Sequence, residues 1–499
     1  MTDVYLLKLE PESEDYKLAP PFSILYLASA LEKHNFKVKL YHEIGSHKNI
    51  TSILEDIATH QPIFVGLSTM TGPSLIPTKI ASQKIKENTK VPVVWGGLHP
   101  TMLPEQTLNN DFVDFMVLGE GEEAISELAY ALTEKEVTPQ SVESIKGIGY
   151  KKNGKIKITP PRPYIGNLDD YSPAWQHLDI TKYLYSGKFF LSDFGSRLPG
   201  DRIASYISSR GCPWRCSYCY NQFVNKRTFR AHSAERVISD IAHLKKTYGI
   251  SAVVFEDDNF FTDRKRAIKI LKNIELPWSS SLRADRITEW GDDFLKELKR
   301  TQCQELRIGA ESSCQRILNI MQKDITVEDI YSSAELCKQN NINALYNFMI
   351  GMPGENWAEM LETFHTMDEL EKMGEGVVVN GPSVFYPWPG TVLYDLAVNH
   401  GFQVPAKMED WAVGWGTKQP LAPYVDRRAK YVGFYRILAK RKDVQSLKFP
   451  LFTKILRAIA QKRWKKRFFR FPIDYFLPNL FFTLLKILGL KKIARALYN

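Results

Sequence analysis

Three of the chain's six cysteines fall within eight residues, in Ser209-Arg210-Gly211-Cys212-Pro213-Trp214-Arg215-Cys216-Ser217-Tyr218-Cys219-Tyr220-Asn221. No ordinary core segment needs that density of thiols. Thiolates are soft ligands suited to iron-sulfur clusters, and a compact loop with cysteines at its first, fifth and eighth positions can turn all three sulfurs to one cluster face. Three ligands leave one iron open to a small chelating molecule, so the loop reads as a redox centre. The competing readings are a structural zinc site, a disulfide pair and a reactive thiol. Structural zinc takes four protein ligands, and no fourth Cys or His lies near the loop, His232 being thirteen residues past Cys219. Six cysteines in 499 residues, with a polar and acidic stretch from Met1 to Asp15 in place of a secretory signal, argue for a reduced, cytoplasmic chain without disulfides.

The spacing Cys212-x-x-x-Cys216-x-x-Cys219, with Tyr218 just before the last cysteine, resembles the signature loop of the radical S-adenosylmethionine (SAM) superfamily. The resemblance implies a four-iron, four-sulfur (4Fe-4S) cluster whose open iron is chelated by SAM. It further implies one-electron cleavage of SAM to methionine and a 5'-deoxyadenosyl radical.

A chain of this length exceeds one ordinary core, so two or three domains are expected. Upstream of the loop, short apolar strands alternate with helical patterns: Val4 to Leu9, Lys37 to Tyr41, Ile63 to Leu67, Val91 to Trp95 and Phe115 to Leu118. That alternation predicts an α/β domain with a doubly wound parallel sheet over residues 1–135. Three strand ends carry small residues that let backbone approach a ligand: Ser68-Thr69, Gly96-Gly97 and Gly119 to Gly121. Turn residues alone account for any one of them. This half resembles the cobalamin-binding domain joined to many radical SAM proteins. The resemblance assigns Ser68, Thr69, Gly96, Gly97, His99, Glu120 and Gly121 to cobalamin, with Met70 and Glu122 following the pattern. An Asp-x-His-x-x-Gly loop is absent, since His42-Glu43-Ile44-Gly45 follows the wrong strand, so no lower histidine ligand is expected from it.

Residues 136–195 read as a linker holding a hairpin, Gly149 to Ile158, with a type I' turn at Asn153-Gly154. Over 196–400, six strands with intervening helices predict a partial (β/α)6 TIM-type barrel, with its site at the strand C-termini. By the same superfamily resemblance those ends form the SAM pocket. Tyr218, Glu256, Asp257, Arg283, Glu311, Ser312, Gly351 and Pro353 are its residues, with Glu256-Asp257 at the SAM amino group and Arg283 at its carboxylate. Helix capping before Asn259 is the plain alternative for the two acids. Cys303, Cys314 and Cys337 read as core residues.

Residues 401–499 leave the barrel pattern for a helical, basic tail. From Asp426 onward there are 20 Lys and Arg against three acids, about +17, while the rest, 46 against 53, is near −7. Trp411, Trp415 and Tyr424 read as core aromatics or as a cover over the pocket mouth. Phe452, Ile455, Leu456 and Ile459 repeat at helical spacing, and an apolar run from Tyr475 to Leu490 is too short to span a bilayer. Basic residues among Trp, Phe and Leu suit an interfacial helix on anionic lipid, and a helix pair packed on the barrel with a solvated basic face is the alternative. Nucleic acid is a poorer fit, since RNA platforms need spaced stacking aromatics.

The whole resembles the branch of cobalamin-dependent radical SAM enzymes that includes the anaerobic magnesium-porphyrin ester cyclase and the hopanoid methylases. The resemblance implies C-methylation of an unactivated carbon, with a ring-closing or rearrangement enzyme as the alternative and a cofactor sensor as a third. A methylthiotransferase is disfavoured because no cysteine precedes Cys212. A small hydrophobic substrate, an external electron donor and peripheral contact with the inner membrane face are the expected partners.

Overall fold

The computed structural model describes residues 3–11, 19–44, 47–133, 139–185, 198–413, 420–440 and 450–476. Two parallel sheets carry the fold. The first is built from β1 (Val4–Glu10), β2 (Val38–Ile44), β3 (Phe64–Ser68), β4 (Val93–Gly96), β5 (Phe115–Val117), β6 (Ile148–Lys152) and β7 (Lys155–Ile158), in the order β2-β1-β3-β4-β5-β6-β7. Its central strands are continuous apolar runs because helices cover both faces. Along β1, Val4 and Leu6 join helices Phe22–Lys33 and Glu122–Thr133, while Tyr5, Leu7 and Leu9 face helices His47–His60 and Leu75–Asn88. Strand order reverses between β1 and β3, which opens a crevice at their C-terminal ends.

The hairpin read as part of a linker instead extends this sheet. Its first strand pairs antiparallel with β5, through Phe115 with Tyr150 and Val117 with Ile148. The open edge of β5 supplies unpaired backbone groups, and Ile148 and Tyr150 bring apolar side chains to cover it. Asn153 and Gly154 take φ of 51° and 75°, the two left-handed residues of the expected turn.

The second sheet holds β8 (Ile203–Tyr206), β11 (Ala252–Phe255), β12 (Trp278–Ser281), β13 (Cys303–Glu311), β14 (Asn343–Ile350) and β15 (Val377–Val384), all parallel, in the order β15-β14-β13-β12-β11-β8. A two-strand ribbon of β9 (Ser209–Arg210) and β10 (Arg230–Ala231) brackets the cysteine loop. Cys303, Cys314 and Cys337 are all buried, as core residues.

Carboxylates bind the two sheets together. Glu120, at the C-terminal edge of the first sheet, pairs with Arg210 at 2.9 Å and Arg230 at 2.6 Å, and Glu122 pairs with Arg210 at 2.5 Å. Beside them the Tyr26 hydroxyl meets His232 Nε2 at 3.0 Å, and His232 Nδ1 meets Asp169 at 3.0 Å.

In the tail, helix Ala429–Lys440 packs on β15, and helix Pro450–Lys466 packs on that helix and on helix Trp357–Lys372. Buried Arg436 donates to the Gly381 and Val379 carbonyls on β15, and Trp464 Nε1 donates to Asp368 at 2.9 Å. Leu456, Ala460 and Trp464 form the packed stripe of the second helix, while Lys454 and Ile455 are exposed. The helix-pair reading therefore holds for that helix. Trp411 is fully buried among Tyr386 and Tyr394, a core residue and not a cover. Trp415 and most of the apolar run to Leu490 lie outside the described residues. Among the described residues no helix is long and apolar enough to cross a membrane.

Glu120→Ala would leave Arg230 and one arm of Arg210 without their carboxylate inside the junction. The expected cost is about 3 kcal/mol, read from urea unfolding. Glu123→Ala, which removes a half-exposed partner of Arg162, should cost under about 1 kcal/mol.

Candidate functional site

The cysteine loop is fixed by two consecutive acids at the end of β11. Asp257 accepts from the Ser208 backbone N–H and from the hydroxyls of Ser208 and Ser209, where β8 gives way to the loop. Asp258 accepts from the Gly211 N–H at 3.1 Å and the Tyr220 hydroxyl at 2.8 Å, so one carboxylate ties both ends of the loop. Gly211 has φ of 83°, and a Cβ there would sit 2.1 Å from the Thr228 carbonyl oxygen, so no other residue fits. Within the loop, Asn259 Nδ2 approaches Cys212 Sγ at 3.8 Å and Arg283 Nη1 approaches Cys216 Sγ at 3.9 Å. Burial pushes the Cys219 thiol up to about 11. Among the described residues no three His, Cys, Asp or Glu are arranged to hold a single metal ion.

Arg283 stacks on the Trp214 ring at 4.0 Å and donates to the Lys323 and Asp324 carbonyls, which leaves Nη1 toward the loop. Tyr218 donates to Glu311 at 3.0 Å, and the Lys323 ammonium reaches both Glu311 and Tyr218. Burial opposes the charge on Lys323, yet the Glu311 carboxylate holds its pKa above the ordinary value. Glu311 itself takes φ of 65°, and a Cβ at Gly309 would lie 2.2 Å from its Oε1.

The other residues singled out in the barrel are less available. Glu256 pairs with Arg307 at 2.9 Å. Ser312 is fully buried and accepts from the Cys314 N–H, with its hydroxyl beside Thr363. Gly351 lies at φ of 82° in a loop closed by Glu355, whose Oε2 accepts from the Gly351 and Met352 N–H groups; Pro353 is buried in the same loop. Glu355 Oε1 is buried without a hydrogen-bond partner, and burial raises this carboxyl to about 7. Asp257 is enclosed by its serines, and the capping reading fails for it: Asp263 caps the following helix.

A cavity of about 340 Å³, half open to solvent, lies where the two sheets meet. Ser68, Gly96, Gly97, Gly119, Glu120 and Gly121 form one wall, and Arg210, Tyr220, Glu256 and Asp258 stand on the other. Thr69 and His99 are fully buried outside this lining. His99 Nδ1 meets the Thr71 hydroxyl, its Nε2 has no hydrogen-bond partner, and burial lowers the imidazole to about 4, so it is neutral near pH 7. Lys323, Arg307, Arg210 and Asp258 carry no motif. Only their neighbours across the fold reveal them, although Asp258 directly follows the flagged acids.

Residues 206–367 match the radical SAM superfamily and residues 15–129 match the B12 binding domain. An uncharacterized methyltransferase of Pyrococcus horikoshii is 30% identical over 387 residues, 76% of this chain and 78% of that protein. The anaerobic magnesium-protoporphyrin IX monomethyl ester cyclase of Rubrivivax gelatinosus is 26% identical over 75% of this chain, which spans 66% of the cyclase. The cobalamin-dependent SAM radical enzyme OxsB, solved with aqua-cobalamin and SAM, superposes with a TM-score of 0.70 over 98% of this chain and 75% of its own, at 16% identity. The chain belongs to the cobalamin-dependent radical SAM enzymes, whose cofactors are a 4Fe-4S cluster, SAM and cobalamin.

The residues present suit these groups. Three thiols that face an Arg and an Asn donor match an anionic cluster. At Gly119 nothing lies within 4 Å of a would-be Cβ, which leaves open backbone for a bulky cofactor, whereas a Cβ at Gly97 would sit 2.6 Å from the Thr69 carbonyl oxygen, so that glycine lets two strand-end loops meet at the cavity wall.

Because the folded pKa of Glu355 lies above the ordinary value of 4.5, the fold holds this proton more tightly than the unfolded chain. The advantage is complete below about pH 4.5 and is lost as pH rises through about 7, a change of about 3 kcal/mol. Glu355→Gln, whose amide oxygen can still accept from Gly351 and Met352, should remove that slope. The check is the difference in urea midpoints between wild type and variant at pH 5 and pH 8.

Proposed function

We propose that the enzyme transfers a methyl group from SAM to an unactivated carbon of a small hydrophobic molecule. The observation that carries this reading is the position of the cavity, with glycine-edged strand ends on one wall and residues flanking the cysteine loop on the other. A molecule held there contacts both halves of the fold. Relatives named as methyltransferases favour it. When bound, the cluster supplies the electron that cleaves SAM, and cobalamin carries the methyl group.

In this reading Cys212, Cys216 and Cys219 hold the cluster. Arg283 Nη1, Tyr218, Glu311, Glu256, Ser312 and the Gly351-Pro353 loop surround SAM. The remaining Nη1 of Arg283 suits its carboxylate and Glu256 its ammonium, once Glu256 exchanges Arg307 for that partner. Asp257 acts on the loop and not on SAM. Ser68, Gly96, Gly97 and Gly121 face cobalamin, with Thr69 and His99 supporting their loops from beneath. Leu6, Leu27, Val94, Val117 and Ile125 give the cavity an apolar lining that excludes water and favours a hydrophobic substrate. An external donor supplies the electron, and the protein works in the cytoplasm, against the inner face of the membrane where such a substrate resides.

Three relatives named as ester cyclases support ring closure as a second reading on the same frame. Mass spectrometry of extracts with and without the protein separates the two. A product heavier by one CH2 supports methylation, and loss of hydrogen without added carbon supports ring closure.

Changing Cys212, Cys216 and Cys219 together to Ala should abolish 5'-deoxyadenosine formation under reducing, anaerobic conditions while cobalamin absorbance is retained. Loss of cobalamin as well would sink the division of cofactors between the two sheets.

A further inference from the structure

We propose that residues 467–476 form a rigid apolar knob that seats the protein on an anionic lipid surface. Phe471 and Ile473 are 74% and 71% exposed, more than any other large apolar side chain among the described residues, and Phe468 and Phe476 beside them are about half exposed. Isolated exposed apolar side chains are ordinary, but four within nine residues make a patch.

The segment is built, not frayed. Arg463, on helix Pro450–Lys466, donates to the carbonyls of Phe468 at 3.1 Å, Arg470 at 3.0 Å and Phe471 at 2.9 Å. Its Nε also holds Asp474 at 3.0 Å, and Asp474 is buried. A single guanidinium thus fixes the loop from inside. Arg467 and Phe471 both take φ of 51°, left-handed conformations that bulky residues adopt only where surrounding bonds over-determine them. Arg467 is tied to the barrel through the Phe364 carbonyl, and Tyr475 packs on Tyr431 and Phe434 at ring distances of 5.0 Å and 4.8 Å. With both ends anchored, Phe471 and Ile473 are held out in solvent.

Lys462, Lys465, Lys466 and Arg470, adjacent to the patch in the chain, are all exposed. That combination of apolar tip and cationic collar fits anionic headgroups over an acyl layer. A second copy is disfavoured, because two cationic collars would repel. The inference deepens the reading of a membrane-held substrate and rests on it only for its purpose. Vesicle binding is read without turnover, so its failure leaves the proposed reaction standing.

The full chain is mixed with sedimentable vesicles of pure phosphatidylcholine, or of phosphatidylcholine and phosphatidylglycerol in equal parts. It should bind the second and not the first, and release with added salt. Phe471→Ser combined with Ile473→Ser should weaken that binding ~10-fold or more with thermal unfolding unchanged, although residues 477–499 remain present. Arg463→Met, which frees the loop but keeps its apolar side chains, should weaken binding too. Equal binding by the double variant, or equal binding to neutral vesicles, overturns the proposal. A drop in unfolding temperature for the double variant without a change in binding also overturns it, because the patch would then be covered by the chain itself.

Discussion

The site depends on one arrangement: two adjacent carboxylates at the end of a buried strand hold the loop that carries the three cysteines. Asp257 receives the Ser208 backbone and two hydroxyls, and Asp258 receives Gly211 on one side of the loop and Tyr220 on the other. Without them both ends of the stretch from Ser209 to Asn221 lose their tie to β11, and only its middle stays fixed, through Ser217 and the Ile320 carbonyl. Charge-assisted bonds to backbone N–H groups are directional, and a buried strand end cannot drift. The result is a cysteine loop tied at both ends beside a parallel sheet, with a guanidinium that approaches one sulfur.

A second set of carboxylates does the same for the space between the sheets. Glu120 lies in the turn after β5 and Glu122 opens the next helix, while Arg210 and Arg230 flank the cysteine loop. The pairs are largely shielded from water, so each charge needs its partner, and the interface is specified as well as closed. The cavity is what remains between these clamps. Its width is therefore set by ion pairs that bridge its two walls, Glu120 on one and Arg210 on the other.

Much of this was legible in the chain. Apolar runs of four to seven residues separated by helical periodicity indicate parallel sheets because only strands covered on both faces have that composition. The three cysteines indicate a cluster by ligand type and spacing, and buried Cys303, Cys314 and Cys337 show ordinary core behaviour. What escapes the sequence has a common cause. Asp257 and Glu120 stand near strand ends, but their partners lie dozens of residues away, Ser208 and Arg210 among them. The hairpin of β6 and β7 has the sequence of a linker hairpin, because nothing local tells an isolated hairpin from one that finishes a sheet edge. Lys323, inside a polar turn, carries no pattern at all until Glu311 is beside it.

The sequence by itself determined the chemistry available: three thiols in one loop, glycines at successive strand ends, and a basic tail with apolar blocks. Those are properties of residue type and spacing, which survive any folding. Only the tertiary structure decided which carboxylates are free and which are clamps, that the helix Pro450–Lys466 packs its stripe inward through Leu456, Ala460 and Trp464, and that Phe471 and Ile473 face out. The physical reason is that a charge or an apolar side chain acquires its role from its partner, and here the partners are brought together by the chain's long-range contacts.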